Sequence, residues 1–202
     1  MFKMKNDFIS SHAEDLNNIL LQYEPLFEYA HSKYNLSKSS LKYEIKQNLS
    51  SLSLSFDSNF SIDTVGNNRI EGLVYEVIVK NILGAKNQYG KFGDYLTSNN
   101  LSVEFKTAFD NMLKYKIGVL ITNEKTQFNF YETANFIDFI TERTFPLTLY
   151  RADNKAIKEI IKTNYNKIQK RILPEYVGAY RKEMLYIPVE MIKSAVIIEK
   201  QI

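Results

Sequence analysis

Gly93-Asp94-Tyr95-Leu96-Thr97-Ser98-Asn99-Asn100-Leu101-Ser102-Val103-Glu104-Phe105-Lys106-Thr107 reads as two short strands joined by a polar turn. In the second strand Leu101, Val103, Phe105 and Thr107 alternate with Ser102, Glu104 and Lys106. Side chains two apart in a strand share a face, so Glu104 and Lys106 are expected side by side. Pairing across the Ser98-Asn99-Asn100 turn brings Asp94 toward the same face. Two carboxylates and an ammonium converging at a strand edge can hold a divalent cation and activate a water, as hydrolysis of a phosphodiester requires.

Glu104-Phe105-Lys106 is one of three Asp/Glu-x-Lys triplets in the chain. Glu44-Ile45-Lys46 falls in a helical pattern, where residues two apart point to different faces. Asp153-Asn154-Lys155 falls where a helix is expected to begin, and N-capping accounts for its aspartate. Only the third sits in an alternating strand with an acid across the turn. Its competing explanation is an exposed strand face carrying a simple Glu–Lys pair.

Working outward, Gly66-Asn67-Asn68 is a breaker cluster, followed by a helical stripe of Ile70, Leu73, Val74, Val77, Ile78, Ile82 and Leu83 that Gly84 terminates. At 100° per residue Glu71 lies on the flank of that stripe, within reach of a shared site, whereas Glu76 points to solvent. A glutamate at a helix start is equally explained by the macrodipole. Upstream, residues 10–34 look helical with a break at Pro25, and Ser37–Ser40 opens a short helix through Leu49. The Ser/Leu alternation at 50–56 suits a strand or an extended linker. Downstream, 110–115 can make a turn or short helix. Ile117–Ile121 is expected as a strand covered on both faces, and Gln127–Tyr131 as another. Ala134–Glu142 is expected as a helix with Phe136, Ile137 and Ile140 inward. Pro146–Tyr150 is expected as a strand with proline at its first position. Asp153 or Asn154 then caps a long basic helix whose core side carries Ile157, Ile160, Ile161 and Ile168. Tyr186–Val189 and Ala195–Ile198 suit either strands or short helices.

The totals bound the chemistry. With 202 residues, 45% apolar and 13% aromatic, the chain can bury a real core. The absence of cysteine excludes disulfide scaffolds, thiolate zinc sites and cysteine nucleophiles, and suits the cytoplasm. Its two histidines, His12 and His31, both fall near the start, so histidine general-base chemistry is not expected. No apolar run reaches membrane-spanning length, the opening Met1–Asp7 lacks signal-peptide form, and no membrane partner is expected. Charge is uneven. Nine basic side chains (Arg151, Lys155, Lys158, Lys162, Lys167, Lys170, Arg171, Arg181, Lys182) against three acidic ones make 151–182 net +6 in a chain of +3. Tyr165, Tyr176 and Tyr180 interleave with them, as suits contact with a polyanion, although a solvated amphipathic helix explains the charges too. Arg143 and Arg151 are weaker candidates for the same contact.

The order of a helix with Glu71, a strand with Asp94, and a strand with Glu104-x-Lys106 resembles the PD-(D/E)XK nuclease superfamily, over about residues 66–150. Size and the lysine-rich C-terminal half are most similar to type II restriction endonucleases. Two features depart from the pattern. Gly93 stands where the family name has proline, and the link from Lys106 to the next apolar strand is short for the usual intervening helix. The resemblance implies an α/β fold with a mixed central sheet flanked by helices, a restriction-endonuclease-like core. It implies Mg²⁺ held by Asp94, Glu104 and the carbonyl of Phe105, with Lys106 and Glu71 completing the catalytic set and no cofactor beyond the metal. It implies cleavage of double-stranded DNA by a homodimer, with the basic segment contacting DNA. Residues 1–65 would form a helical packing or dimerisation region and 66–202 the catalytic core, together one compact domain. The rivals are a repair or junction-resolving nuclease of the same superfamily and a non-catalytic nucleic-acid-binding module.

Overall fold

A computed structural model describes residues 9–53, 67–88, 93–109, 115–124, 127–172 and 182–202. The chain is α/β and divides into two compact units, Met1–Gly84 and Ala85–Ile202. The Ser/Leu run beyond Ser53, the Gly66 breaker and most of the 110–115 turn lie outside the described residues.

The first unit is helical: α1 Ala13–Leu21, α2 Glu24–Tyr34, α3 Lys38–Ser53 and α4 Asn67–Ile82. The break expected at Pro25 falls just before it, and the proline sits in the first turn of α2, where its missing N–H costs nothing. Asn35, with φ of 55°, closes α2 in the left-handed conformation. The helix expected to end near Leu49 runs on to Ser53, so the serines at 50–53 are helical. Leu41, Ile45 and Leu49, four apart, make one buried row on α3, and α3 packs against both α2 and α4. Glu44 of the first triplet reaches Lys80 and Asn81 of α4, so its role is an interhelical ion pair. The boundary expected after residue 65 falls outside the described residues, and α4, which carries Glu71, groups with the helices that precede it.

The second unit contains a six-stranded mixed sheet in the order β1-β2-β3-β6-β7-β10: β1 Lys86–Asn87, β2 Tyr95–Leu96, β3 Ser102–Thr107, β6 Phe136–Ile140, β7 Thr148–Asp153 and β10 Val196–Gln201. Among the described strands only β3 and β6 run parallel. A four-stranded antiparallel sheet follows the order β5-β4-β9-β8: β4 Lys116–Glu124, β5 Gln127–Phe130, β8 Gln169–Ile172 and β9 Lys182–Pro188. Among the described residues, the α-helices of this unit are α5 Asn154–Asn164 and the single turn α6 Val189–Ile192. Ile117, Val119 and Ile121 of β4 pack in one buried cluster with Ile137 and Phe139 of β6 and Ile157 and Ile161 of α5. Burying such aliphatic side chains contributes roughly 1.5–3 kcal/mol each.

Several expectations are corrected. Residues 136–140 form strand β6, not a helix. Four consecutive residues there are buried, because β6 lies between β3 and β7 with both faces covered. A short apolar run of this kind has no period that separates the two structures. Conversely β4, expected to be covered on both faces, buries Ile117, Val119 and Ile121 while Gly118 and Leu120 stay half-exposed. The strand after Pro146 begins at Thr148 and extends to Asp153. The basic helix is shorter than expected: α5 ends at Asn164, and Ile168 precedes the exposed strand β8. Asp153 is its N-cap, accepting from the Ala156 N–H at 2.8 Å.

Candidate active site

Antiparallel pairing of Tyr95 with Val103 and of Leu96 with Ser102 forms the hairpin. Asn100, with φ of 59°, turns the chain between them. Gly93 enters the hairpin with φ of 123°, and a Cβ there would stand 2.6 Å from the Val103 carbonyl oxygen. Proline, locked near −65°, cannot adopt that backbone, and any side chain would strike β3. The glycine at this position therefore has a steric cause.

Because β2 is only two residues long, the ladder stops short of Phe105. The Asp94 carboxylate replaces the missing strand: Oδ2 accepts the Phe105 N–H at 2.6 Å. The N–H and C=O of one strand residue point to the same side, so the Phe105 carbonyl is directed toward the Asp94 edge. On the adjacent face the Lys106 ammonium donates to Glu104 Oε1 at 2.7 Å. Asp94, Glu104 and Lys106, predicted to converge, are thus brought together.

A fourth member was not predicted. Glu132 follows β5, and both of its carboxylate oxygens accept the Leu120 N–H at 3.1 Å. This repeats the device seen at Asp94: a carboxylate continues a ladder where the shorter strand ends. Glu132 Oε1 also lies 3.6 Å from the Lys106 ammonium, and its side chain is only 9% exposed. The available signal in the sequence was its phase, since Phe128, Phe130 and Glu132 alternate onto one face.

The electrostatics follow from burial and crowding. Burial, then the charge of Glu104, pushes the Asp94 carboxyl up to about 7, against the pull of the Phe105 N–H and Lys106. Burial also raises Glu132. For Lys106 burial opposes the charge, but the carboxylates of Glu104 and Glu132 outweigh it and the ammonium is held above its usual range.

Glu71 lies on α4, in the helical unit. The oxygen set at the hairpin, two carboxylates and a carbonyl, matches the preference of Mg²⁺, and repulsion at Asp94 marks where a cation would relieve charge. Among the described residues no three acidic or histidine side chains are grouped to hold a metal alone. Mg²⁺ keeps several waters and uses one or two carboxylates with substrate phosphate, so the donor set fits.

On the opposite face of the sheet, Tyr95, Asp138 and Arg151 form a buried network. The Tyr95 hydroxyl donates to Asp138 at 2.5 Å, and Arg151 grips both oxygens of Asp138 at 2.7 Å. Arg151, a weak candidate for DNA contact, is therefore committed to a partner on β6. Arg143 lies over the Phe109 ring, 4.4 Å from its centroid.

The basic residues are spread over three elements. On α5, Lys155 is exposed and Lys162 pairs with Glu159 at 2.8 Å. Lys158 is half-buried, 5.5 Å from the centroid of Phe130, with the Glu132 charge acting on it. Lys167 is exposed, Lys170 lies over the Tyr165 ring at 3.6 Å, and Arg171 is exposed on β8. Basic side chains on an edge strand also protect it from pairing with other chains, which explains them without a ligand. Arg181, Tyr176, Tyr180 and the side chain of Lys182 lie outside the described residues. A groove of about 820 Å³ beside β7 and β10, lined by Tyr150, Ile197 and Ile198, includes none of the site residues. No described helix is long and apolar enough to cross a membrane. Neither a protein-family model nor a curated protein matches the chain.

Proposed function

We propose that this protein is a Mg²⁺-dependent endonuclease of the type II restriction class, cutting double-stranded DNA at a specific short sequence. The observation that carries the proposal is the convergence of Asp94, Glu104 and Lys106 around one hydrogen-bonded hairpin. A restriction-endonuclease-like core is supported by the antiparallel β2–β3 pair joined to the parallel β3–β6 pair. The connection between β3 and β6 departs from the usual helix, since it runs through the β4–β5 hairpin.

Asp94, Glu104 and the Phe105 carbonyl would hold Mg²⁺, which when bound supplies charge neutralisation at the phosphate and lowers the pKa of a coordinated water. Asp94 would keep its Oδ2 on the Phe105 N–H and have its other carboxylate oxygen available for the ion. Lys106, kept protonated by its carboxylate neighbours, acts as a fixed positive charge that orients the attacking water and stabilises charge developing on phosphorus oxygens. Lys158, on which the Glu132 charge acts, is the basic side chain of α5 that we assign to a phosphate near the site. Cutting both strands of a symmetric sequence calls for two such sites, hence a homodimer.

Incubation with plasmid and Mg²⁺ tests the proposal. Discrete fragments of fixed length support restriction, and cleavage confined to branched substrates supports junction resolution. Binding without cutting, at any metal concentration, overturns catalysis in favour of a binding module. Sedimentation with a palindromic duplex tests the dimer.

A further inference from the structure

We propose that Glu132 is the carboxylate that keeps Lys106 in place when a divalent cation engages Glu104. The inference rests on the active-site reading above and assigns a positioning role to a residue outside its motif.

Lys106 and the cation have claims on the same group. The ammonium donates to Glu104 Oε1 at 2.7 Å, yet Glu104 is, with Asp94, one of the two carboxylates that the hairpin 93–107 carries. Two cations on one carboxylate repel each other, so occupancy by metal weakens the hold of Glu104 on Lys106. An unanchored lysine would lose its geometry or compete with the metal. Glu132 supplies the alternative partner. Its Oε1 is already 3.6 Å from the ammonium, just beyond hydrogen-bond length, so a small rotation of the lysine completes the exchange. The receiving carboxylate is fixed beforehand: both oxygens are on the Leu120 N–H, the side chain is 9% exposed, and β4 and β5 set its position. A fully exposed glutamate would have to be ordered first, at an entropic cost.

The prediction is a coupling between Glu132 and Lys106 that is visible in metal affinity. Titration calorimetry of the full chain with Mg²⁺ alone, without DNA, compares wild type, Glu132→Gln, Lys106→Met and the double variant. Glu132→Gln keeps an oxygen for Leu120 and is expected to lower Mg²⁺ affinity about tenfold, because Lys106 is then left with Glu104 only. In the Lys106→Met background the same change is expected to alter affinity twofold or less, and a double-mutant cycle isolates that difference. A merely structural role for Glu132 would lower the melting temperature without producing the coupling. Equal effects in both backgrounds, or none in either, overturn the inference while leaving the nuclease reading intact. Failure of wild type to bind Mg²⁺, or binding indifferent to Asp94→Ala, overturns both. If Glu132→Gln does not fold, Glu132→Asp, which withdraws the charge by one methylene, is read in the same cycle with the same criteria.

Discussion

Asp94 has two obligations that conflict. Its carboxylate completes the β2–β3 ladder at Phe105, yet burial and the charge of Glu104 push it up to about 7 from the usual 3.8, against the pull of the Phe105 N–H. Between those two pH values the native state keeps a proton that the unfolded chain has released, so stability falls as pH rises through that window. Glu132, raised by burial, acts in the same direction. Asp94→Asn removes the charge and retains an oxygen for Phe105. In metal-free buffer at pH 8 it should stabilise the protein by on the order of 2–4 kcal/mol and raise the melting temperature, with little effect at pH 4. A thermal melt of both proteins across pH 4–8 measures this, and a destabilised variant at pH 8 would contradict it. The same substitution removes a ligand oxygen's charge and should reduce cleavage at least about 100-fold. Lys106→Ala should do likewise while DNA binding, followed by anisotropy, changes little.

At the scale of the element, short strands are what create the site. β2 contributes two residues, and the site acid takes over where its backbone stops. Gly93 makes that geometry possible, so Gly93→Ala forces either a φ of 123° on alanine or a clash with β3. A loss of roughly 2–4 kcal/mol is expected from chemical denaturation, together with loss of cleavage because Asp94 is displaced. Behind the hairpin, the Tyr95–Asp138–Arg151 network ties the same short strand to β6 and β7. Asp138→Ala would leave Arg151 and the Tyr95 hydroxyl without their partner inside the sheet. About 3–5 kcal/mol of destabilisation should follow. Asp138→Asn, which keeps the shape but not the charge, should cost less.

For the molecule as a whole, partner choice depends on how charge is distributed rather than on its total. The described basic side chains lie on α5, the turn after it and β8. If they contact phosphates, affinity for duplex DNA falls linearly in log–log form with salt, and each phosphate contact removed lowers the slope by about one. Substituting Lys158 and, separately, Lys170 with Arg171 to alanine should flatten that slope without changing the cut sequence, as read from fragment lengths. An unchanged slope would return these residues to the role of guarding an edge strand.

How much of this was legible depends on whether a pattern has a period. The 67–82 helix, the β3 alternation and the Asp153 cap followed from spacing alone, because side-chain phase and capping are local properties of the backbone. The same phase argument separated Glu104-Phe105-Lys106 from the other two triplets, and the ion pair of Glu44 with Lys80 and the cap at Asp153 account for those two. Phe136–Ile140 has no such phase, and only its place between β3 and β7 makes it a strand. Glu132 shows the remaining limit. It lies 26 residues beyond Lys106 in sequence and 3.6 Å from it in space. The sequence by itself determined which side chains share a face within one strand or helix, since that depends on a fixed repeat. Which acids meet across elements was decided by the tertiary structure, because strand ends and packing, not spacing, set those distances.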